Sequence, residues 1–239
     1  MGDVNKALED YARAIEINPR YQLAYNNKGN IFYEQGRLDE AIDAWNRAIE
    51  IDSRFVSAYF NRGMAEHGKG HLDQALADFS KAIELDKRYA KAWTGRGMVR
   101  QAKADLEGAL SDHYRAIAIN PRLDVAYYNR GNTFLAKKEL ASALADFSKA
   151  IELNPSFAMA YCNGGSARVT AGDLERAITD YDRAIELNPR LVAAYQNRGL
   201  ARLLSGMDAA AEEDFAKCLE LDISLQPVIE KLRKSRRSQ

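Results

Sequence analysis

The sequence predicts an all-α chain, an α-solenoid of antiparallel helix pairs, and three observations carry that expectation. Six glycines, Gly29, Gly63, Gly97, Gly131, Gly165 and Gly199, recur every 34 residues. A fixed period of that size marks stacked supersecondary units, each burying its apolar face against the next. Rings recur in register with the glycines. An aromatic stands four before each (Tyr25, Tyr59, Trp93, Tyr127, Tyr161, Tyr195), and a ring sixteen after (Trp45, Phe79, His113, Phe147, Tyr181, Phe215). Third, Ala41-Ile42-Trp45-Ala48-Ile49 and its copies have the spacing of one helix face, and no segment reads as a strand.

Taken in order, the chain opens halfway through a unit, because Gly2-Asp3-Val4-Asn5-Lys6-Ala7 aligns with Gly36-Arg37-Leu38-Asp39-Glu40-Ala41. Residues 1–20 therefore read as the second helix of an incomplete N-terminal repeat, with Val4, Leu8, Tyr11 and Ile15 lacking their usual partner helix. Two explanations stay open: residues upstream of Met1 in a longer protein, or self-association through the uncovered half repeat. Residues 21–223 hold six full repeats. In the first, one helix runs from about Tyr21 to Gln35 and the second from about Leu38 to Ile51. Gly36, Gly70, Gly172 and Gly206 turn the chain between the two helices, whereas Ala104 and Lys138 must make the same turn without glycine. Asn-Pro at 18–19, 120–121, 154–155 and 188–189 stops the second helix, since a residue before proline is pushed out of the helical region. Residues 224–239 form a capping helix and basic tail: Leu225, Val228, Ile229 and Leu232 make one stripe, with Glu230, Lys231, Arg233 and Lys234 opposite. Arg236 and Arg237 read as a solvated end.

Small residues complete the pattern, at Ala41, Ala75, Ala109, Ala143, Ala177 and Ala211, and again at Ala48, Ala82, Ala116, Ala150, Ala184 and Cys218. With Pro121, Pro155 and Pro189, these columns make the chain resemble the tetratricopeptide repeat (TPR) family over nearly its whole length. The resemblance implies a right-handed TPR superhelix that acts as a protein–protein interaction scaffold or adaptor. Two departures stand out. The ring that the family has three after the glycine is present only as Phe32 and Phe134, with Glu66, Arg100, Arg168 and Arg202 elsewhere. The apolar residue before the glycine is replaced by Lys28, Arg62, Arg96, Arg130 and Arg198, with Gly164 in the remaining repeat. These cations suggest either a preference for acidic ligands or pairing with carboxylates of neighbouring helices.

The feature most suggestive of function is a row of asparagines two before the glycines, Asn27, Asn61, Asn129, Asn163 and Asn197, interrupted only by Gly95. Asparagine is a mediocre helix former, so five copies inside helices ask for a reason. The row resembles the asparagine ladder of the O-linked N-acetylglucosamine transferase superhelix, where such side chains hold a peptide main chain along the concave groove. A carboxamide both donates and accepts, so it pairs with a peptide unit whatever the side chain. The expected site is thus a groove for an extended protein or peptide ligand, lined by Asn27, Asn30, Asn61, Met64, Lys91, Asn129, Asn132, Asn163 and Asn197. Asn26, Phe60, Thr94, Met98 and Tyr128 add a mixed apolar and polar lining, some of them packing residues. Hydrated or internally bonded asparagines are the competing account. A two-carboxylate clamp of the kind chaperone co-factors use is incomplete here: Asn26 and Gly95 stand where its charged donors belong.

Other function classes find little support. Lysine plus arginine equal aspartate plus glutamate at 34 each, which gives no footprint for nucleic acid. No apolar run is long enough to span a bilayer and no secretory signal follows Met1, so no membrane partner is expected and a cytoplasmic location is. Cys162 and Cys218 occupy different repeat positions, which disfavours a disulfide; Cys162 is expected to point towards the groove. His67 and His71 have a chelating spacing, but Gly68 and Gly70 intervene and His71 falls in the turn, so no metal is expected. His113 sits at a core ring position, and no nucleophile constellation or phosphate loop appears. The chain is therefore expected to be no enzyme and to need no cofactor. Alternatives are a self-assembling structural unit and the substrate-binding arm of a larger enzyme complex.

Overall fold

The computed structural model describes the backbone of residues 2–237 and side chains from Val4 to Arg233. All its elements are helical and no strand occurs among the described residues. A first helix, α1 (Gly2–Ile17), is followed by six pairs. These are α2 (Gln22–Glu34) with α3 (Leu38–Ile51), α4 (Val56–Gly68) with α5 (Leu72–Leu85), and α6 (Ala90–Ala102) with α7 (Leu106–Ile119). Then come α8 (Asp124–Ala136) with α9 (Leu140–Leu153), α10 (Ala158–Thr170) with α11 (Leu174–Leu187), and α12 (Val192–Leu204) with α13 (Asp208–Leu221). A 3-10 turn, Ile223–Leu225, leads into α14 (Gln226–Arg237). The chain divides into two compact units, one ending at Pro121 and the other beginning at Arg122. Within each unit, a helix packs on its pair partner and on the first helix of the next pair.

The 34-residue glycine period has a steric cause. A methyl on Gly29 would meet the Trp45 ring at 2.6 Å, one on Gly97 the His113 ring at 2.5 Å, and one on Gly199 the Phe215 ring at 2.6 Å. Gly63, Gly131 and Gly165 lie against Phe79, Phe147 and Tyr181 in the same way, at 3.0, 2.9 and 2.8 Å. Each pair is thus built by pressing a ring of the second helix onto bare backbone of the first. Those six rings are at most 1% exposed, and the alanines twelve and nineteen after the glycines are fully buried. Gly95, the gap in the asparagine row, falls under the same constraint: a Cβ there would sit 2.6 Å from Phe79.

The turn inside a pair is closed by backbone bonds, and the turn between pairs by a side chain. The first helix of every pair ends with its C″ amide donating back five residues, as in Arg37 N to Phe32 O and Asp105 N to Arg100 O, both 2.9 Å. This closure requires a left-handed residue. Gly36, Gly70, Gly172 and Gly206 supply it at φ between 74° and 82°, while Ala104 and Lys138 are forced to 63° and 64°. The second helices stop at Asn or Asp rather than at proline as such. Asp52, Asp86 and Asp222 end α3, α5 and α13 without a following proline. Each accepts a bond from the amide two residues on, as Asn154 and Asn188 do. The shared signal is a side chain that takes over backbone hydrogen bonding; proline only reinforces it.

The two departures in the repeat pattern prove to be one device. Fifteen after the glycine stands Asp78, Asp112, Asp146, Asp180 or Asp214, with Ala44 in the first pair. Arg62, Arg96, Arg130 and Arg198 each clamp the aspartate of their own pair at 2.5 to 3.1 Å. Each of these guanidiniums also lies over the ring three residues earlier, at 4.8 to 5.7 Å. Where Gly164 leaves no arginine, Arg168 reaches Asp180 instead, at 2.7 Å. Lys28, facing Ala44, rests over the Phe32 ring at 5.5 Å. The arginines are therefore engaged by aspartates, Arg62 also reaching Asn46 and Arg198 also reaching Asp182 of the preceding pair, so of the two readings the structure supports pairing with carboxylates of neighbouring helices.

At the ends, α1 has no buried residue among its described side chains, and Val4 is 38% exposed. Ile229 of α14 is fully buried among Tyr195, Leu203 and Phe215, with Leu225 and Leu232 against the same cluster. Val228, assigned to that apolar stripe from sequence, is instead 41% exposed. The side chains of Lys234, Arg236 and Arg237 lie outside the described residues.

Candidate functional site

The asparagine row lies on first helices and is half-buried. Its amides are largely used between neighbouring pairs. In the first unit, Asn61 Nδ2 donates to Asn26 Oδ1 at 3.1 Å and to Asn30 Oδ1 at 2.9 Å. Asn26 in turn donates to Asn27 Oδ1 at 3.2 Å. In the second unit, Asn163 Nδ2 donates to the Tyr128 hydroxyl at 3.0 Å and to Asn132 Oδ1 at 2.8 Å. Asn197 Nδ2 donates to Ser166 Oγ at 3.2 Å. One rule covers the three: each asparagine reaches the preceding pair through residues three before and one after its glycine. Asn129 breaks the rule and bonds to the Val125 carbonyl of its own helix at 2.7 Å.

The structure thus gathers Asn26, Asn27, Asn30 and Asn61 into one cluster, and Tyr128, Asn132 and Asn163 into another. Both N–H groups of Asn61 and Asn163 are engaged, while their Oδ1 atoms accept nothing from the described chain. What these two side chains offer outward is acceptor capacity alone. Tyr33, Trp45, Phe60 and Met64 wall a recess that Asn30 and Asn61 also line. Lys91 is exposed near the start of α6, with no bond to the asparagine clusters. Thr94 is buried and bonds to Ala90 O, so it packs rather than lines a surface. Sequence reasoning left Tyr33 and Ser166 out of the site; the signal for Ser166 is the recurrence of polar groups one after the glycines, at Asn30, Asn132 and Ser166.

The remaining reactive side chains are structural. Cys162, expected to face a groove, is 1% exposed in a core of Ala177, Tyr181 and Ala184. Burial pushes its thiol up to about 11, away from nucleophile chemistry. His113 is fully buried at its ring position. His71 bonds through Nδ1 to Glu66 at 2.7 Å in the α4–α5 turn. No cluster of three metal-ligating side chains occurs among the described residues, and no described helix is long and apolar enough to cross a membrane.

Comparison with known proteins bears on the repeat architecture. A family model described as TPR repeat matches residues 29–70 and 165–206. Others described as tetratricopeptide repeat match 11–43, 56–89, 125–157 and 192–222. No curated protein sequence matches the chain. A chain in the crystal structure of the APC/C hetero-tetramer Cut9-Hcn1 is similar over 98% of this one, at 16% identity and a TM-score of 0.89. This chain spans 46% of that one. A tetratricopeptide repeat protein from Parabacteroides merdae ATCC 43184 is similar over 99% of the chain and 93% of its own length, at 20% identity and a TM-score of 0.76. In both cases the likeness is one of fold. YrrB, described as a TPR protein with an unusual peptide-binding site, shares 26% identity over 78% of this chain and 96% of its own, with a TM-score of 0.55.

Proposed function

Because this chain belongs to the tetratricopeptide repeat family, we propose that it is a protein-interaction scaffold whose first-helix faces hold an extended partner segment, with no chemistry of its own. The observation that supports this most directly is the pre-set acceptor pair. Asn61 and Asn163 are fixed by two bonds each to the preceding helix pair, with their carbonyl oxygens left over. A fixed acceptor suits a ligand main-chain N–H, and its rotamer entropy is already spent before binding. Each such bond contributes about 0.5–1.5 kcal/mol net, so a handful together with apolar contact gives roughly micromolar affinity. The description of YrrB points to the same ligand class. Asn27, Asn30, Met64, Lys91, Asn129, Asn132 and Asn197 are the remaining residues assigned to the binding faces.

The test is capture of partners or arrayed peptides by the chain and by a variant with Asn27, Asn61, Asn129, Asn163 and Asn197 all changed to alanine. Capture should be lost at temperatures where circular dichroism still shows a folded variant. Asn61, Asn163 and Asn197 also tie neighbouring pairs, so the variant should lose about 1 kcal/mol for each of these. Undiminished capture by the folded variant would remove the proposal.

A further inference from the structure

One place on the first-helix faces carries a lone carboxylate. Glu34, on the last turn of α2, borders the recess walled by Tyr33, Trp45, Phe60 and Met64. It also borders a second recess that includes Val4 and Ile31. No lysine or arginine lines either recess, and Glu34 is exposed without a hydrogen-bond or ion-pair partner among the described residues. This sets it apart from Asp78, Asp112, Asp146, Asp180 and Asp214, which are all clamped by arginine. It is also unique in its column: the later pairs have Gly68, Ala102, Ala136, Thr170 and Leu204 at that register.

We propose that this recess is a specificity anchor for a partner segment in which an apolar side chain of leucine to phenylalanine size lies within two positions of a lysine or arginine. The inference rests on reading the first-helix faces as peptide-binding surfaces. Three aromatic side chains and an adaptable methionine reward removal of an apolar side chain from water. An adjacent cation finds an unpaired carboxylate and the 37% exposed ring of Tyr33. An adjacent anion meets repulsion, so the same group selects against acidic neighbours.

Fluorescence anisotropy with three synthetic ten-residue peptides tests it, the peptides differing only at a central Leu-Lys, Leu-Glu or Ala-Lys. The chain should bind Leu-Lys about five-fold more tightly than Leu-Glu, the scale of an exposed ion pair. It should bind Leu-Lys at least about ten-fold more tightly than Ala-Lys. Glu34→Lys, an exposed position with no internal bond, should invert the charge preference and leave the leucine preference in place. Equal binding of Leu-Lys and Leu-Glu, or a preference that Glu34→Lys does not move, overturns the anchor. It leaves the broader reading standing if Asn61→Ala still weakens binding. Failure of all three peptides also overturns the anchor, and a random ten-residue library then tests the broader reading alone.

Discussion

Two neighbouring glycines in one helix allow a sharp test of how the repeat is built. Gly164 and Gly165 are consecutive in α10, yet replacement by alanine should act in opposite directions. A Cβ on Gly164 would find Asp180 Oδ2 at 3.5 Å and Phe147 Cβ at 3.7 Å, ordinary contact distances. Gly164→Ala should therefore gain the helix-propensity difference, about 0.5–1 kcal/mol. A Cβ on Gly165 would lie 2.8 and 2.9 Å from two atoms of the Tyr181 ring. That ring is 1% exposed and anchored by a 3.1 Å hydrogen bond between its hydroxyl and Ser166 Oγ, so it cannot swing aside cheaply. Over-packing of this kind costs about 1–3 kcal/mol, which outweighs the propensity gain. The two variants should differ by about 1–3 kcal/mol in urea unfolding followed by circular dichroism, with Gly164→Ala above the parent and Gly165→Ala below. If Gly165→Ala were as stable as Gly164→Ala, the 34-residue period would need a cause other than ring-on-backbone packing.

Three further outcomes follow from the same structure. Ala104→Gly and Lys138→Gly should each raise stability by up to about 1 kcal/mol, because both residues hold φ near +63°; urea midpoints that stay put or fall would contradict this. Arg62→Met should cost about 2–3 kcal/mol in urea unfolding, because it leaves buried Asp78 without a cation. Arg96→Met should cost less, since Arg100 Nη1 still reaches Asp112 at 2.9 Å. Cys162 is raised by burial from 9.0 to about 11, so the folded state prefers the neutral thiol. Stability tied to it is intact below pH 9 and is lost as pH climbs towards 11, by up to roughly 2 kcal/mol. A pH series of unfolding should show that decline, and Cys162→Ala should flatten it; Tyr181, also raised by burial, gives a residual slope of the same sign.

Helix order, helix limits and the ring and alanine columns were legible in the sequence because each rests on local periodicity. The bond network was harder to read. The aspartate column at 78, 112, 146, 180 and 214 keeps the 34-residue period in every pair after the first. It escapes attention because aspartates on a helix are ordinarily read as solvated, whereas these are wholly or largely buried beneath arginine. Helix ends at Asp52 and Asp86 show that the asparagine of Asn-Pro, not the proline, carries the stop. Cys162 shares its repeat position with Asn26 and Phe60, and whether that position is open depends on the size of its neighbours, which periodicity does not encode. Spacing set Asn30, Asn61, Asn132 and Asn163 on first helices, and the structure bonds Asn61 to Asn30 and Asn163 to Asn132. Spacing did not reveal that the amide protons are already committed, since that depends on side-chain rotamers across a helix–helix contact.

The arginine–aspartate clamps join residues 12 or 16 apart in the chain, and the asparagine bridges join residues 31 to 35 apart. Nothing in this set of bonds waits for a distant segment to be synthesised. A nascent chain leaving the ribosome can complete one clamp as soon as a hairpin has emerged and add the bridge when the next arrives. Assembly can begin at any hairpin and spread to its neighbours. Loss of a terminal hairpin by proteolysis should accordingly shorten the folded array without dissolving it.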